Sequence, residues 1–107
     1  MTIRTSLVDL INSLDAILRN AEMTDTQRER MLRLRALLSA MLDEVLRQEI
    51  NKDTAAYQKA IDRTLEATKV ADQALKDLKT IAEVIQKAAQ AAKAIDQVIK
   101  FAASVLA

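Results

Sequence analysis

Residues 57–106 read YQKAIDRTLEATKVADQALKDLKTIAEVIQKAAQAAKAIDQVIKFAASVL, and the spacing of their apolar residues decides the fold. With Tyr57 at heptad position a, the fifteen a and d positions continue without a stutter to Leu106, and none of them is charged. Five of the seven d residues are alanine, and positions e and g also become apolar in the second half. This face is wider than a two-stranded coiled coil needs. It therefore predicts contact with two or more neighbouring helices.

The composition of the whole chain agrees with helix and with little else. The 107 residues include no Gly, Pro, Cys, His or Trp, one Tyr and one Phe, and 19 alanines. Alanine is the strongest helix former, whereas Gly and Pro supply most turns in other folds. The missing residue types exclude disulfides, Cys or His metal ligands, Cys or His catalysis and glycine-rich phosphate loops. We predict an all-α protein with a single helical domain over residues 1–107.

Two breaks divide the chain into three predicted helices, at about 5–20, 25–49 and 54–106. The first break precedes Asp25, where Thr24 with Gln27 and Thr26 with Glu29 both match the capping-box pattern. The second is 51–53, whose Asn and Asp are good helix caps. The favoured architecture is therefore a helical bundle or coiled coil of three helices with a long C-terminal helix.

The length of the third helix remains open. A continuous helix over 54–106 would be about 80 Å long. The alternative is a four-helix up-down bundle with a break near 76–80, where Thr80 and Glu83 match another capping box. We favour the continuous helix, because the heptad is unbroken and KDLKT lacks the usual turn residues.

The polar residues do not form a recognisable reaction centre. Asp62 and Glu66 are one helical turn apart, but they lie on the polar face without a histidine. Ser104 follows Lys100 by four residues, and nothing nearby resembles an oxyanion hole. We therefore predict no catalytic residue, no metal site, no cofactor and no small-molecule substrate, which means a non-enzymatic protein.

The charge pattern does not favour nucleic acid. The chain has 16 basic and 15 acidic residues, a net charge of +1. The one basic cluster is divided between two flanks of a helix and contains Glu29; its members are Arg28, Arg30, Arg33 and Arg35. Asp9 interrupts the segment where a signal peptide would be apolar, and no uncharged apolar run is long enough to span a membrane. We expect a cytoplasmic protein.

These observations predict an interaction module that self-associates, most simply as a homodimer, or binds a helical partner. If the third helix is continuous, its apolar face beyond residue 80 stays uncovered in a monomer. The residues expected at this interface are Leu78, Ile81, Ile85, Ala88, Ala92, Ile95, Ile99, Ala102 and Leu106. The alternative function is a membrane-active, pore-forming-like protein acting through the amphipathic residues 81–107, with Lys87, Lys93 and Lys100 facing anionic lipid.

Overall fold

The all-α prediction is confirmed by a computed structural model. It describes residues 2–47, 54–77 and 80–106, with side chains up to residue 100. These residues form four helices and no strand: α1 (Ile3–Asn20), α2 (Asp25–Arg47), α3 (Ala55–Ala74) and α4 (Ile81–Leu106). α1 begins two residues before the predicted start, and α2 begins at the predicted Asp25. The predicted end of α2 at 49 and the break at 51–53 lie outside the described residues.

The prediction of one continuous helix over 54–106 is wrong. α3 ends at Ala74, and the longest dimension of the molecule is 44 Å, about half of what that helix would need. The backbone N–H groups of Lys76 and Asp77 both donate to the carbonyl of Gln73 at 3.0 Å. The hydroxyl of Thr80 donates to the carbonyl of Asp77 at 2.8 Å. The alternative break near 76–80 is therefore the one that the structure has.

The heptad pattern does not reveal this break, because the pattern continues in the same register on both sides of it. Ala74, the last residue of α3, and Ile81, the first of α4, are consecutive d positions seven residues apart. A connection of this length leaves the a and d assignments unchanged on both sides. Period alone therefore cannot distinguish one long helix from a hairpin of two.

Contacts between helices establish the topology. Asp15 pairs with Arg35 across α1 and α2 at 2.9 Å, and Glu66 pairs with Lys87 across α3 and α4 at 2.8 Å, so both pairs are antiparallel hairpins. α1 also packs on α3, and α2 on α4, whereas the pairs α1–α4 and α2–α3 make no close contact among the described residues. Successive helices alternate in direction as an up-down bundle requires. The order around the bundle is α1, α2, α4, α3, with α2 and α3 on a diagonal.

α1 and α3 lie parallel because their starting residues are held together. The hydroxyl of Tyr57 accepts a hydrogen bond from the backbone N–H of Ile3 at 3.1 Å in a buried position. Further along, the hydroxyl of Ser13 donates to the Oδ1 atom of Asp72 at 2.9 Å. The first N–H groups of a helix have no partner within the helix, so Tyr57 satisfies one of them. Tyr57, the first a position of the heptad, is thus a core residue whose hydroxyl reaches the end of the bundle.

Threonine side chains begin the helices where glycine-containing turns are missing. Thr24 and Gln27 form a reciprocal capping box, with both bonds at 3.1 Å, which selects Thr24 over Thr26. Thr2 caps α1 and Thr54 caps α3 in the same manner, each accepting a bond from the N–H three residues later. No described residue has a positive φ. The turns therefore work without glycine.

The core combines large side chains from α1 with small ones from α3 and α4. The a and d positions of α3, from Tyr57 to Ala74, are all buried, as are the d positions Ile81, Ala88 and Ile95 of α4. The predicted core face is thus confirmed. Small residues let the axes of α3 and α4 approach closely, and the larger residues of α1 fill the remaining volume: Ile3, Leu7, Leu10, Leu14 and Ile17.

The buried alanines between α3 and α4, which we call the alanine seam, predict that a larger side chain destabilises the protein at a buried position but not at an exposed one. Ala88→Leu should destabilise the protein by about 1–3 kcal/mol, because a fully buried site has no room for three more carbons. Ala82→Leu, the same change at an exposed position of α4, should have little effect. Thermal and urea unfolding followed by circular dichroism measure both. Equal stabilities of the two variants would show that the seam is loosely packed.

The hairpin predicts where an inserted residue is tolerated. One alanine inserted after Asp77, between α3 and α4, should change stability by about 1 kcal/mol or less, because it only lengthens a connection. The same insertion after Gln90 would rotate the rest of α4 by about 100° and should cost several kcal/mol. Urea unfolding compares the two variants. Comparable losses in both would favour a continuous helix.

Candidate docking site

Most of the predicted interface lies inside the chain's own bundle. Ile81, Ala88, Ala92 and Ile95 are buried. Ile85 and Ile99 are partly buried and pack against the same core. Leu78 and the side chains of Ala102 and Leu106 lie outside what the structure describes. Because α4 folds back on α3, this face is already covered by helices of the same chain, and binding of a partner or a membrane to it would require the bundle to open.

Among the residues whose side chains the structure describes, the most exposed large apolar ones are instead on α2. Only Met31, Leu38 and Met41 of its 23 residues are buried. Leu37 is 46% exposed and Leu32 is 50% exposed. Because these leucines are already half-buried, covering the rest of each side chain with a partner would contribute about 1 kcal/mol, roughly half the value for a fully exposed leucine. α2 therefore carries the largest exposed apolar side chains of the described residues.

An apolar groove runs between α2 and α4, and we call it the α2/α4 groove. It has a volume of about 370 Å³. Leu34, Leu37 and Met41 form its α2 side, and Ala89 and Ala92 form the α4 side. Alanine methyl groups are short, so α4 leaves a depression beside the longer side chains of α2. Lys93 and Asp96 complete the α4 side.

The interface predicted from the sequence covers only part of this groove. It includes Ala92 but not Leu37. An apolar leucine outside the buried face of a charged helix was the available signal. The pairing of that leucine with Ala89 and Ala92 depends on α2 packing beside α4, which no local pattern specifies.

Charges of both signs surround the α2/α4 groove. Asp96 pairs with Lys100 at 2.9 Å, and Lys93 has no ion-pair partner among the described residues. On α2, Arg30 and Glu44 lie seven residues before and after Leu37, so the three share one stripe of the helix. Glu44 also pairs with Arg47 at 3.6 Å. The groove is therefore apolar along its length and mixed in charge at its edges.

The other polar candidates have structural partners. The Oε1 atom of Glu66 lies 2.8 Å from Lys87, and its Oε2 atom lies 3.4 Å from Arg63. Asp62 accepts a hydrogen bond from Gln58 at 3.0 Å. In the described part of the chain, no group of three or more acidic, Cys or His residues could hold a metal ion. The carboxylates of α3 thus serve helix and ion-pair contacts.

The arginine cluster is divided among separate contacts. Arg28 donates to the carbonyl of Leu18 at 3.0 Å, and Arg35 binds Asp15. Arg33 pairs with Glu29 at 2.6 Å on the outer surface of α2. These side chains do not form one basic stripe, in agreement with the sequence pattern.

Among the described residues, no helix has the length and apolar character needed to cross a bilayer.

Comparison of the chain with family models, curated proteins and solved structures finds no match. Proposals about function therefore depend on the geometry of this chain.

The ion pairs of Glu66 predict that the stability of the folded protein depends on pH. The hydrogen bond and the positive charge of Lys87, with a smaller effect from Arg63, hold the pKa of Glu66 below its ordinary value of 4.5. Because the folded pKa is lowered, the stabilisation is fully present above pH 4.5 and is lost as the pH falls through the folded pKa. Glu66→Gln should lower the melting temperature at neutral pH, and the difference from the original protein should shrink in acid.

Asp9→Asn is the control, because Asp9 is exposed within α1, outside its first turn, and has no ion pair among the described residues. Its melting temperature should differ little from that of the original protein at any pH. Calorimetry at about pH 7 and about pH 3 measures all three proteins. A Glu66→Gln deficit that is equally large in acid would contradict the assignment.

Proposed function

We propose that this protein is a non-enzymatic helical interaction module that self-associates as a dimer through the α2/α4 groove. The observation that carries this proposal is the apolar α2/α4 groove, in which Leu37 and Ala89 are exposed above the partly buried Leu34 and the buried Met41 and Ala92. Leu37 stands half-exposed along this depression. An apolar depression beside an exposed leucine is the feature that helix-in-groove contacts use.

The size of this surface is sufficient for a dimer. α2 has 23 residues and is about 35 Å long, and two adjacent helices are about 20 Å wide. A second copy covering that face would bury roughly 700 Å² on each protomer, or about 1,400 Å² in total. This area lies within the range of stable specific interfaces, about 1,200–2,000 Å².

The charges favour a second copy over an unrelated partner because they are self-complementary. A two-fold axis perpendicular to α2 at Leu37 would place the α2 helices of two copies antiparallel. Residue 30 then lies opposite residue 44 of the other copy, because each is seven residues from Leu37. Arg30 would thus meet a glutamate, and Glu44 an arginine.

The same axis also suits α4. Lys93 and Asp96 are three residues apart on the groove side of α4. In an antiparallel arrangement centred between them, each would lie opposite the other residue of the second copy. The residues that line the groove centre on position 37 of α2 and on positions 92 and 93 of α4. An axis through these centres separates Lys93 from Asp96 of the second copy by about four residues, or about 6 Å along the helix, which a lysine side chain can span. A closed dimer then pairs the α2 charges directly and brings the α4 charges within reach of each other.

Leu37 provides the test. The original protein should be a dimer at tens of micromolar by size-exclusion chromatography with light scattering. Leu37→Ser should shift it towards the monomer by on the order of tenfold or more in dissociation constant, because each copy loses an apolar anchor on the axis.

Leu32→Ser is the matched control, since Leu32 is on the same helix and is equally exposed but does not line the groove. It should leave the dimer intact. A strictly monomeric original protein would reject self-association and leave a helix of another protein as the occupant. A dimer that Leu37→Ser and Leu32→Ser weaken equally would place the contact elsewhere on α2.

A further inference from the structure

A second groove lies between α3 and α4, and we call it the basic groove; it shares only Lys93 with the α2/α4 groove. It has a volume of about 340 Å³. Four cationic side chains line it: Lys59, Arg63, Lys87 and Lys93. Its other lining residues are Gln90, Ala94 and Gln97, and no carboxylate is among them. This concentration of one charge is unusual in a chain whose net charge is +1.

The antiparallel register of α3 and α4 brings these cations together. Contact between Glu66 and Lys87 at 2.8 Å sets that register, which places residue 63 beside 90 and residue 59 beside 94. Lys59 and Arg63 are one turn apart on α3. Their neighbours on α4 extend from residue 87 to residue 97, a rise of about 15 Å. The four charges therefore border one groove, two from α3 and two from α4.

Only part of this positive charge is neutralised within the protein. Glu66 contacts Lys87 and Arg63 at one end of the basic groove. Lys59 and Lys93 have no ion-pair partner among the described residues, and both are exposed. Like charges held along one groove repel each other, and a bound anion would remove that cost.

We propose that the basic groove binds a short chain of phosphate groups. Lysine, arginine and glutamine side chains are all hydrogen-bond donors to phosphate oxygens, and a multiply charged anion can contact several of them at once. An acidic helix fits less well, because helix docking needs an apolar seam and Ala94 is the one apolar residue in this lining. The lining also contains no aromatic side chain on which a nucleobase could stack.

This chemistry predicts which part of a ligand is recognised. Isothermal titration calorimetry at low ionic strength should show binding of inorganic tripolyphosphate. ATP should bind within a fewfold of the same affinity, and adenosine should not bind, because the groove contacts phosphate and not the base. Added salt should weaken binding steeply, as expected for ion pairing at an exposed site. Binding of adenosine, or of ATP alone, would overturn the proposal.

The double variant Lys59→Gln/Arg63→Gln tests the location. It removes two charges from the α3 side of the groove and should weaken tripolyphosphate binding by about tenfold or more. The matched control is Lys69→Gln/Lys76→Gln, which removes two exposed charges of the same region outside the groove and should keep the affinity within about twofold. Equal weakening by both pairs, or no binding by the original protein, would overturn the proposal.

Two further measurements show whether the substitutions unfold the protein or change its oligomeric state. Circular dichroism melting should show that both double variants remain folded, because the exposed Arg63–Glu66 pair contributes little stability. Light scattering should show the same oligomeric state for the original protein and the Lys59→Gln/Arg63→Gln variant, since neither residue lines the α2/α4 groove. Loss of phosphate binding with an unchanged dimer would assign the two grooves to separate contacts.

Discussion

The close packing of α4 against α3 through small side chains is the contact on which the rest of the structure depends. Ala60, Ala67, Ala71 and Ala74 are buried on α3, and Ala88 is buried on the first half of α4. Short side chains allow the two helix axes to approach, so the hairpin buries backbone and methyl groups together. The long leucine and isoleucine side chains of α1 pack against this hairpin, and Tyr57 aligns the start of α1 with that of α3.

The small side chains of α4 also shape the outer surface of the protein. Alanines at the edges of α4 fill little space, so depressions remain on both of its flanks: Ala89 and Ala92 border the α2/α4 groove, and Ala94 borders the basic groove. Lys93 lies on the crest between the two and lines both. One helix thus separates an apolar surface suited to a second protein copy from a cationic surface suited to an anion. The two proposals share α4 but depend on different physical forces.

A net charge near zero hides a strongly uneven distribution. On α3 and α4, four cations line one groove; Glu66 contacts two of them at one end, whereas Asp96 pairs with Lys100 within its own helix. On α2, opposite charges lie symmetrically around Leu37. The near-zero net charge argued only against a protein whose whole surface binds polyanions. The location of each charge became informative once the helices had been placed beside one another.

The sequence by itself determined the helices and their buried faces. Alanine richness, threonine caps and apolar spacing act over three to seven residues, so Thr24 with Gln27, the start at Asp25 and the core positions from Tyr57 to Ala74 could all be predicted locally. The tertiary structure alone decided that residues 54–106 fold back on themselves, because Ala74 and Ile81 keep the heptad register across the break. That reversal turned the predicted interface of Ile81, Ala88 and Ile95 into core. It also created both grooves, since each joins residues from helices that only the packing of the whole chain brings together.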